Sequence, residues 1–204
     1  WWARSGLMDL VRNGAAATPA RSVPGMGDHP CAISLYGAIV TALYHRERTG
    51  KGAHVRSNLM ANGLWSNGTL AQAALCGARF QDRKPREEAL NAVINHYRCR
   101  DGRWIILSLL NEERQWPILA ACLGLDALID DPRFATVTER RRHSAELIGI
   151  LNEAFATRDL AQWRGILDGK GLVFGVVGIL DDLAHDQQMR DNNVLVPFAD
   201  DDML

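Results

Sequence analysis

The sequence predicts an α/β chain, and three observations carry that prediction. A strongly apolar helical pattern over 30–48 runs into a short strand at 53–57 and a second helix over 59–76. A polar, charge-rich stretch over 78–90 then interrupts the pattern. Beyond it, two β-patterned runs, 93–99 and 104–109, flank Arg100-Asp101-Gly102-Arg103, and helical patterns with two more strand patterns follow.

The first helix starts at Pro30, a residue suited to a first helical position because the N–H it lacks has no intrahelical partner there. Ile33, Leu35, Tyr36, Ile39, Val40, Leu43 and Tyr44 wrap most of its circumference, which predicts a helix buried on all sides. His45, Arg46 and Arg48 suit the negative end of its dipole, and Gly50 supplies the stop. Ser57 or Asn58 is expected to cap the next helix, which Gly77 ends. Gly63 and Gly68 inside that helix are read as sites of close packing.

In the second half, Asp101-Gly102 is a hairpin turn signal. Asn111 is expected to cap a helix that Pro117 bends and Gly124 ends. Asp130-Asp131-Pro132 marks a loop. Helices are expected over 139–156 and 158–168, the second capped by Thr157, then a strand at 172–177. Short helices over 180–185 and from Asp186 lead to a last strand at 194–198. Trp65, Trp104, Trp116 and Trp163 are assigned to core packing.

The 204 residues suffice for one or two domains, and 47% hydrophobic with 23% charged residues is ordinary for a soluble globular protein. A formal net charge of -1 argues against nucleic-acid binding. No apolar run approaches the ~20 residues that span a bilayer, so no membrane role is expected. Cys31, Cys76, Cys99 and Cys122 form no C-x-x-C pair and are read as buried thiols of a cytoplasmic protein, with no metal site. H-E-x-x-H, a Walker loop and G-x-S-x-G are missing from the sequence. A chain that opens on Trp1-Trp2 and stops after Asp202-Met203-Leu204 is expected to be a segment of a longer protein.

The chemically informative stretch is Gly27-Asp28-His29-Pro30. It sets a carboxylate at the mouth of a helix, where unpaired backbone N–H groups favour negative charge. A flexible glycine precedes it. Asp28 so placed can serve as nucleophile or base, although an aspartate in this position is commonly no more than a cap.

Gly27-Asp28-His29, the apolar helix and Tyr44-His45-Arg46-Glu47-Arg48-Thr49-Gly50-Lys51-Gly52-Ala53-His54-Val55 resemble the central signature of the family III CoA-transferases, the CaiB/BaiF group. Tyr97-Arg98-Cys99-Arg100-Asp101-Gly102-Arg103-Trp104 is similar to that family's Y-x-C-x-D-G-x-W hairpin. Asp130-Asp131-Pro132-Arg133-Phe134 matches its D-D-P-R-F, and Trp2-Ala3-Arg4-Ser5-Gly6 resembles one subgroup. Two departures stand out: Pro30-Cys31-Ala32 replace small hydroxyl residues and glycine beside Asp28, and Ala53 replaces a glutamine.

The resemblance implies residues 1–79 as part of a Rossmann-like large CoA-binding domain and 80–89 as linker. It makes 90–176 a small α+β domain with a hairpin sheet, and 177–204 a segment returning towards the large domain. It implies Asp28 as the catalytic carboxylate and His29 as a substrate-shaping neighbour. Coenzyme A or acyl-CoA enters as substrate rather than as a resident cofactor, a carboxylic acid is the acceptor, and the residues contacting CoA lie mostly outside this chain. An interlocked homodimer is expected. The alternatives are an acyl-CoA racemase or epimerase, with Asp28 moving the α-proton, and a non-catalytic oligomerisation module.

Overall fold

The computed structural model describes residues 1–196. The chain divides into two compact units, Trp1–Pro85 and Arg86–Leu204. The structure is helix-rich with one small antiparallel sheet, consistent with the α/β class.

The first unit is built from four helices: α1 (Leu7–Leu10), α2 (Asp28–Thr49), α3 (Leu59–Ser66) and α4 (Gly68–Leu75). α2 stops at Gly50, whose φ of 71° is the left-handed conformation that closes a helix. The chain must then retrace its path, because Ser57 Oγ lies 2.6 Å from Ser34 Oγ. Ser34 is fifteen residues before Thr49, about 22 Å along a helix axis. The eight residues from Thr49 to Ser57 reach about 26 Å when stretched. The return run is therefore nearly fully extended. This corrects the expected strand at 53–57: the segment has no ladder partner among the described residues and is held by its ends.

Asn58 caps α3, its Oδ1 accepting from the Ala61 N–H at 2.8 Å. The helix expected over 59–76 breaks at Asn67, where the side-chain amide donates to Ser5 O at 2.6 Å. An Asn-Gly pair is a weak helix former, so one tertiary hydrogen bond can divert the backbone there. The expectation of an α2 buried on all sides is also corrected. It packs on α3, yet none of its residues is buried, and Ile33, Tyr36 and Tyr44 are 71%, 65% and 65% exposed. An all-round apolar pattern demands neighbours on every side, and the described residues supply one side. Trp65, read as core, is 83% exposed for the same reason.

The second unit has a clear core. Its sheet runs β1 (His96–Arg98), β2 (Trp104–Leu107), β3 (Phe174–Val176), all antiparallel, with Tyr97 opposite Ile105 and Ile105 opposite Val176. The hairpin turns at Gly102, φ 83°, with Asp101 Oδ1 accepting from Arg103 N. Asp101 itself does not take a positive φ. Alternation places Tyr97, Ile105 and Leu107 inward and His96, Arg98 and Ile106 outward.

Among the described residues six α-helices accompany the sheet: α5 (Glu112–Leu123), α6 (Val137–Arg142), α7 (Ser144–Phe155), α8 (Leu160–Leu167), α9 (Leu180–Leu183) and α10 (Gln187–Asp191). Asn111 caps α5, Asp186 caps α10, and α5 runs on through Pro117 to Gly124. The helix expected over 139–156 is two helices broken at His143, beside which Ser144 Oγ donates to Ala89 O. Thr157 does not cap α8. It donates to Ala154 O and finishes α7, while Asp159 begins α8 with its N–H held by Gln162 Oε1. Val194–Val196 is not strand, and the rest of the strand expected at 194–198 lies outside the described residues.

The core is aromatic at its centre. Tyr97 stacks on Phe155 at 5.1 Å between ring centres, and Phe155 packs against Trp163 at 5.2 Å. The Trp163 indole N–H donates to Phe155 O and the Tyr97 hydroxyl to Ala92 O, so both rings are buried with their polar ends satisfied. Of the cysteines, Cys99 is buried, Cys31 and Cys122 are half-buried, and Cys76 is exposed. That corrects the reading of four buried thiols. Glu112 is buried too, accepting from Asn91 Nδ2 and pairing with Arg141, with Arg140 Nε 3.7 Å away. Arg140 lies over the Trp116 ring and donates to Phe134 O and Ala135 O. Burial lowers its pKa, and Glu112 and Glu113 offset part of that cost.

Two predictions follow from this core. Trp163→Ala removes a fully buried indole and should lower unfolding stability by about 3–5 kcal/mol in urea titrations; a loss below ~1 kcal/mol contradicts the packing described. The second concerns pH. Burial raises the Tyr97 phenol above its ordinary value of 10.0 and pushes the Cys99 thiol up to about 11 from 9.0. The folded chain thus holds both protons more tightly than the unfolded chain. The linked stability is complete below the unfolded values and is lost as pH rises past them. Tyr97→Phe should cost about 1 kcal/mol at neutral pH through the lost hydrogen bond, yet lose stability less steeply than wild type above about pH 10. Identical alkaline slopes in urea titrations contradict this.

Candidate active site at the start of α2

Asp28 is the first residue of α2, following Gly27, whose carbonyl accepts the Cys31 N–H at 3.1 Å. Its carboxylate is exposed and makes no hydrogen bond or ion pair among the described residues. It is therefore not an N-cap in the hydrogen-bonding sense. It sits one position inside the helix, where the first-turn N–H groups still favour an anion.

His29 is exposed as well. Its ring lies over Gly25, with Cε1 only 2.8 Å from where a Cβ at Gly25 would stand. The imidazole thus covers the turn leading into α2, and His29 and Asp28 form no hydrogen bond or ion pair with one another.

Two sets of contacts fix the backbone around Asp28. The first joins the opening turns of α2 to the start of α3. Ser57 Oγ accepts from Asn62 Nδ2 at 3.0 Å and lies 2.6 Å from Ser34 Oγ and 3.3 Å from Cys31 Sγ. Ser34 donates its proton to Cys31 O at 2.9 Å. That leaves Ser57 as donor to Ser34 and the Cys31 thiol as donor to Ser57, so one arrangement of protons satisfies the group. Cys31 is one turn after Asp28 and shares its side of the helix.

The second set is aromatic. The Trp1 indole lies against Gly27, and an added Cβ there would stand 2.3–2.5 Å from Cε2, Cζ2 and Nε1. A Cβ on Gly63 would meet Trp1 Cε3 at 2.8 Å and Ser5 Oγ at 2.9 Å. Trp2 packs edge-on against Trp1 at 5.3 Å and donates its indole N–H to Ala20 O. The sequence reading missed the Trp1 contact. An aromatic residue far from Gly27 along the chain carries no local signal of contact with it. Gly63 does lie in close packing, as read, but a Cβ added at Gly68 meets nothing within 4 Å, which corrects the reading there.

A separate open groove belongs to the second unit and is lined by Arg103, Leu160, Phe174, Ile179, Asp182 and Met189, among others. Across it Arg103 grips Asp182 through two bonds of 3.1 and 2.6 Å, which hold the aspartate's pKa below its usual value. Every carboxylate of this groove is distinct from Asp28.

The family model for CoA-transferase family III matches residues 1–203. The (R)-2-hydroxy-4-methylpentanoate CoA-transferase of Clostridioides difficile is 27% identical over 195 residues, 96% of this chain and 48% of that protein. The succinyl-CoA:glutarate CoA-transferase of Mus musculus is 27% identical over 194 residues, 95% of this chain and 44% of that one. A CaiB/BaiF family protein from Brucella suis superposes with a TM-score of 0.83 at 23% identity, covering 98% of this chain and 55% of that one, and shares the fold. The chain thus spans about half the length of the curated relatives it matches. With a match along almost its whole length and the fold of a CaiB/BaiF protein, the chain belongs to CoA-transferase family III.

Proposed function

We propose that the protein carrying this chain moves CoA from an acyl-CoA thioester to a carboxylic acid, with Asp28 as the nucleophile. One observation carries the reading: an exposed carboxylate, unpaired among the described residues, begins a 22-residue helix in a family III chain.

A carboxylate oxygen of Asp28 attacks the thioester carbonyl. The C–S bond breaks and the thiolate leaves with its electron pair, giving a mixed aspartyl anhydride. The thiolate then attacks the aspartyl carbonyl, releasing the donor acid and forming an aspartyl-CoA thioester. The acceptor carboxylate attacks that thioester and forms a second anhydride. The freed thiolate finally takes the acceptor acyl group and returns Asp28 as a carboxylate. Splitting the transfer in this way replaces one difficult exchange by steps between acyl groups of similar activation.

Relatives named as CoA-transferases support transfer over racemisation. In the same proposal, residues 1–79 belong to a large CoA-binding domain completed from outside this chain. Residues 80–89 link it to a small domain at 90–176, and 177–204 return towards the large domain. His29 shapes the acyl side of the site from the turn before α2. The exposed apolar surface of α2 is covered in a homodimer of the longer protein. No helix among the described residues is long and apolar enough to cross a membrane, and we place the reaction in the cytoplasm.

Incubating the longer protein with succinyl-CoA and hydroxylamine should convert Asp28 to its hydroxamate, read by peptide mass, and Asp28→Asn should abolish both the adduct and CoA exchange. An unmodified Asp28 together with an Asp28→Asn variant that still exchanges CoA defeats the transfer mechanism. Solvent deuterium entering the α-carbon of a 2-methylacyl-CoA without CoA exchange selects racemisation instead.

A further inference from the structure

We propose that Trp1 is a positioning residue for Asp28, its indole acting as a wedge between two glycines that are present for space and not for backbone freedom. The inference rests on the transfer reading above. Gly27 has φ -101° and ψ -35°, a right-handed conformation open to any residue. Gly63 lies inside α3, where glycine is the weakest ordinary helix former apart from proline. Neither position needs a glycine on conformational grounds. Both need one because a Cβ would collide with the same ring, at 2.3–2.5 Å from Gly27 and 2.8 Å from Gly63.

The ring is itself held. Trp1 O accepts the Ser5 N–H at 3.0 Å, Trp2 packs edge-on against it, and Trp2 is tied to Ala20 O. Asn67 fastens the same corner through Ser5 O. The indole therefore sets how closely the Gly27 backbone approaches α3. Asp28 is the next residue, so a displacement at Gly27 passes directly to the Cα that carries the carboxylate. Ser57 anchors the following turns of α2 through Cys31 and Ser34. A nucleophile misplaced by about 1 Å can lose up to roughly a hundredfold in rate, so this contact bears on chemistry as well as folding.

The test is a double-mutant cycle in the longer protein, read as the rate at which succinyl-CoA and hydroxylamine label Asp28, with KM for succinyl-CoA and thermal unfolding measured beside it. With Trp1 present, Gly27→Ala should slow labelling by roughly tenfold or more. In a Trp1→Leu background the same substitution should slow it by less than about twofold, because the clash is gone. KM should be similar in all four proteins. Equal penalties in the two backgrounds overturn the proposal, as does a rate loss that only follows the melting temperature. If Gly27→Ala alone does not fold, a double variant that folds and labels supports the wedge, and one that does not fold overturns it. A wild-type protein that leaves Asp28 unlabelled defeats the transfer reading first, so the two failures are distinct.

Discussion

One indole between two glycines governs the corner of the molecule where α2 begins. Trp1 brings the Gly27 backbone against α3 at Gly63, at separations that leave no room for a single added carbon on either side. The loop before α2, the turn after Trp1 at Ser5 and the middle of α3 all converge on that contact. The next turns of α2 are tied down by Ser57, which the chain reaches only by stretching the return from Gly50 almost to its limit. The direction Asp28 faces is thus a consequence of packing around it, in which its own side chain takes no part.

The two units meet the cost of folding differently. The second is a conventional small core: an inward sheet face of Tyr97, Ile105 and Leu107 against helices, with Phe155 and Trp163 filling its centre. The first buries little, and α2 presents an apolar surface on most sides. A helix of that composition is not stable in water by propensity alone and depends on tertiary contacts. In the proposed function, that unmatched surface and the exposed nucleophile share a cause, since both are to be enclosed by chain beyond these residues.

Features encoded over a few residues were legible in the sequence. The stop at Gly50, the Asp101-Gly102 turn, the cap at Asn111 and the alternation of β2 all follow from neighbours in the chain. Asp28 stood out for its place before an apolar helix, and the order of several short motifs pointed to the family. Features set by distant contacts were not legible. The break at Asn67 depends on Ser5, and the break at His143 comes with a bond from Ser144 to Ala89. Glu112 lies in the first turn of α5 and is buried where Asn91 and Arg141 come to it. Gly27 reads as a flexible residue and is a contact surface. In each case the deciding partner lies far along the chain, where local pattern carries no information.

The transfer mechanism makes Asp28 exchange an oxygen atom with the acceptor acid, because the second anhydride forms through an acceptor oxygen and is cleaved on its acceptor side. Supplying acceptor acid labelled with heavy oxygen in its carboxylate, together with an acyl-CoA, therefore tests the central claim directly. The account predicts heavy oxygen in the Asp28 peptide after turnover, and none when the acyl-CoA is withheld. CoA exchange that proceeds while the Asp28 carboxylate stays unlabelled contradicts it.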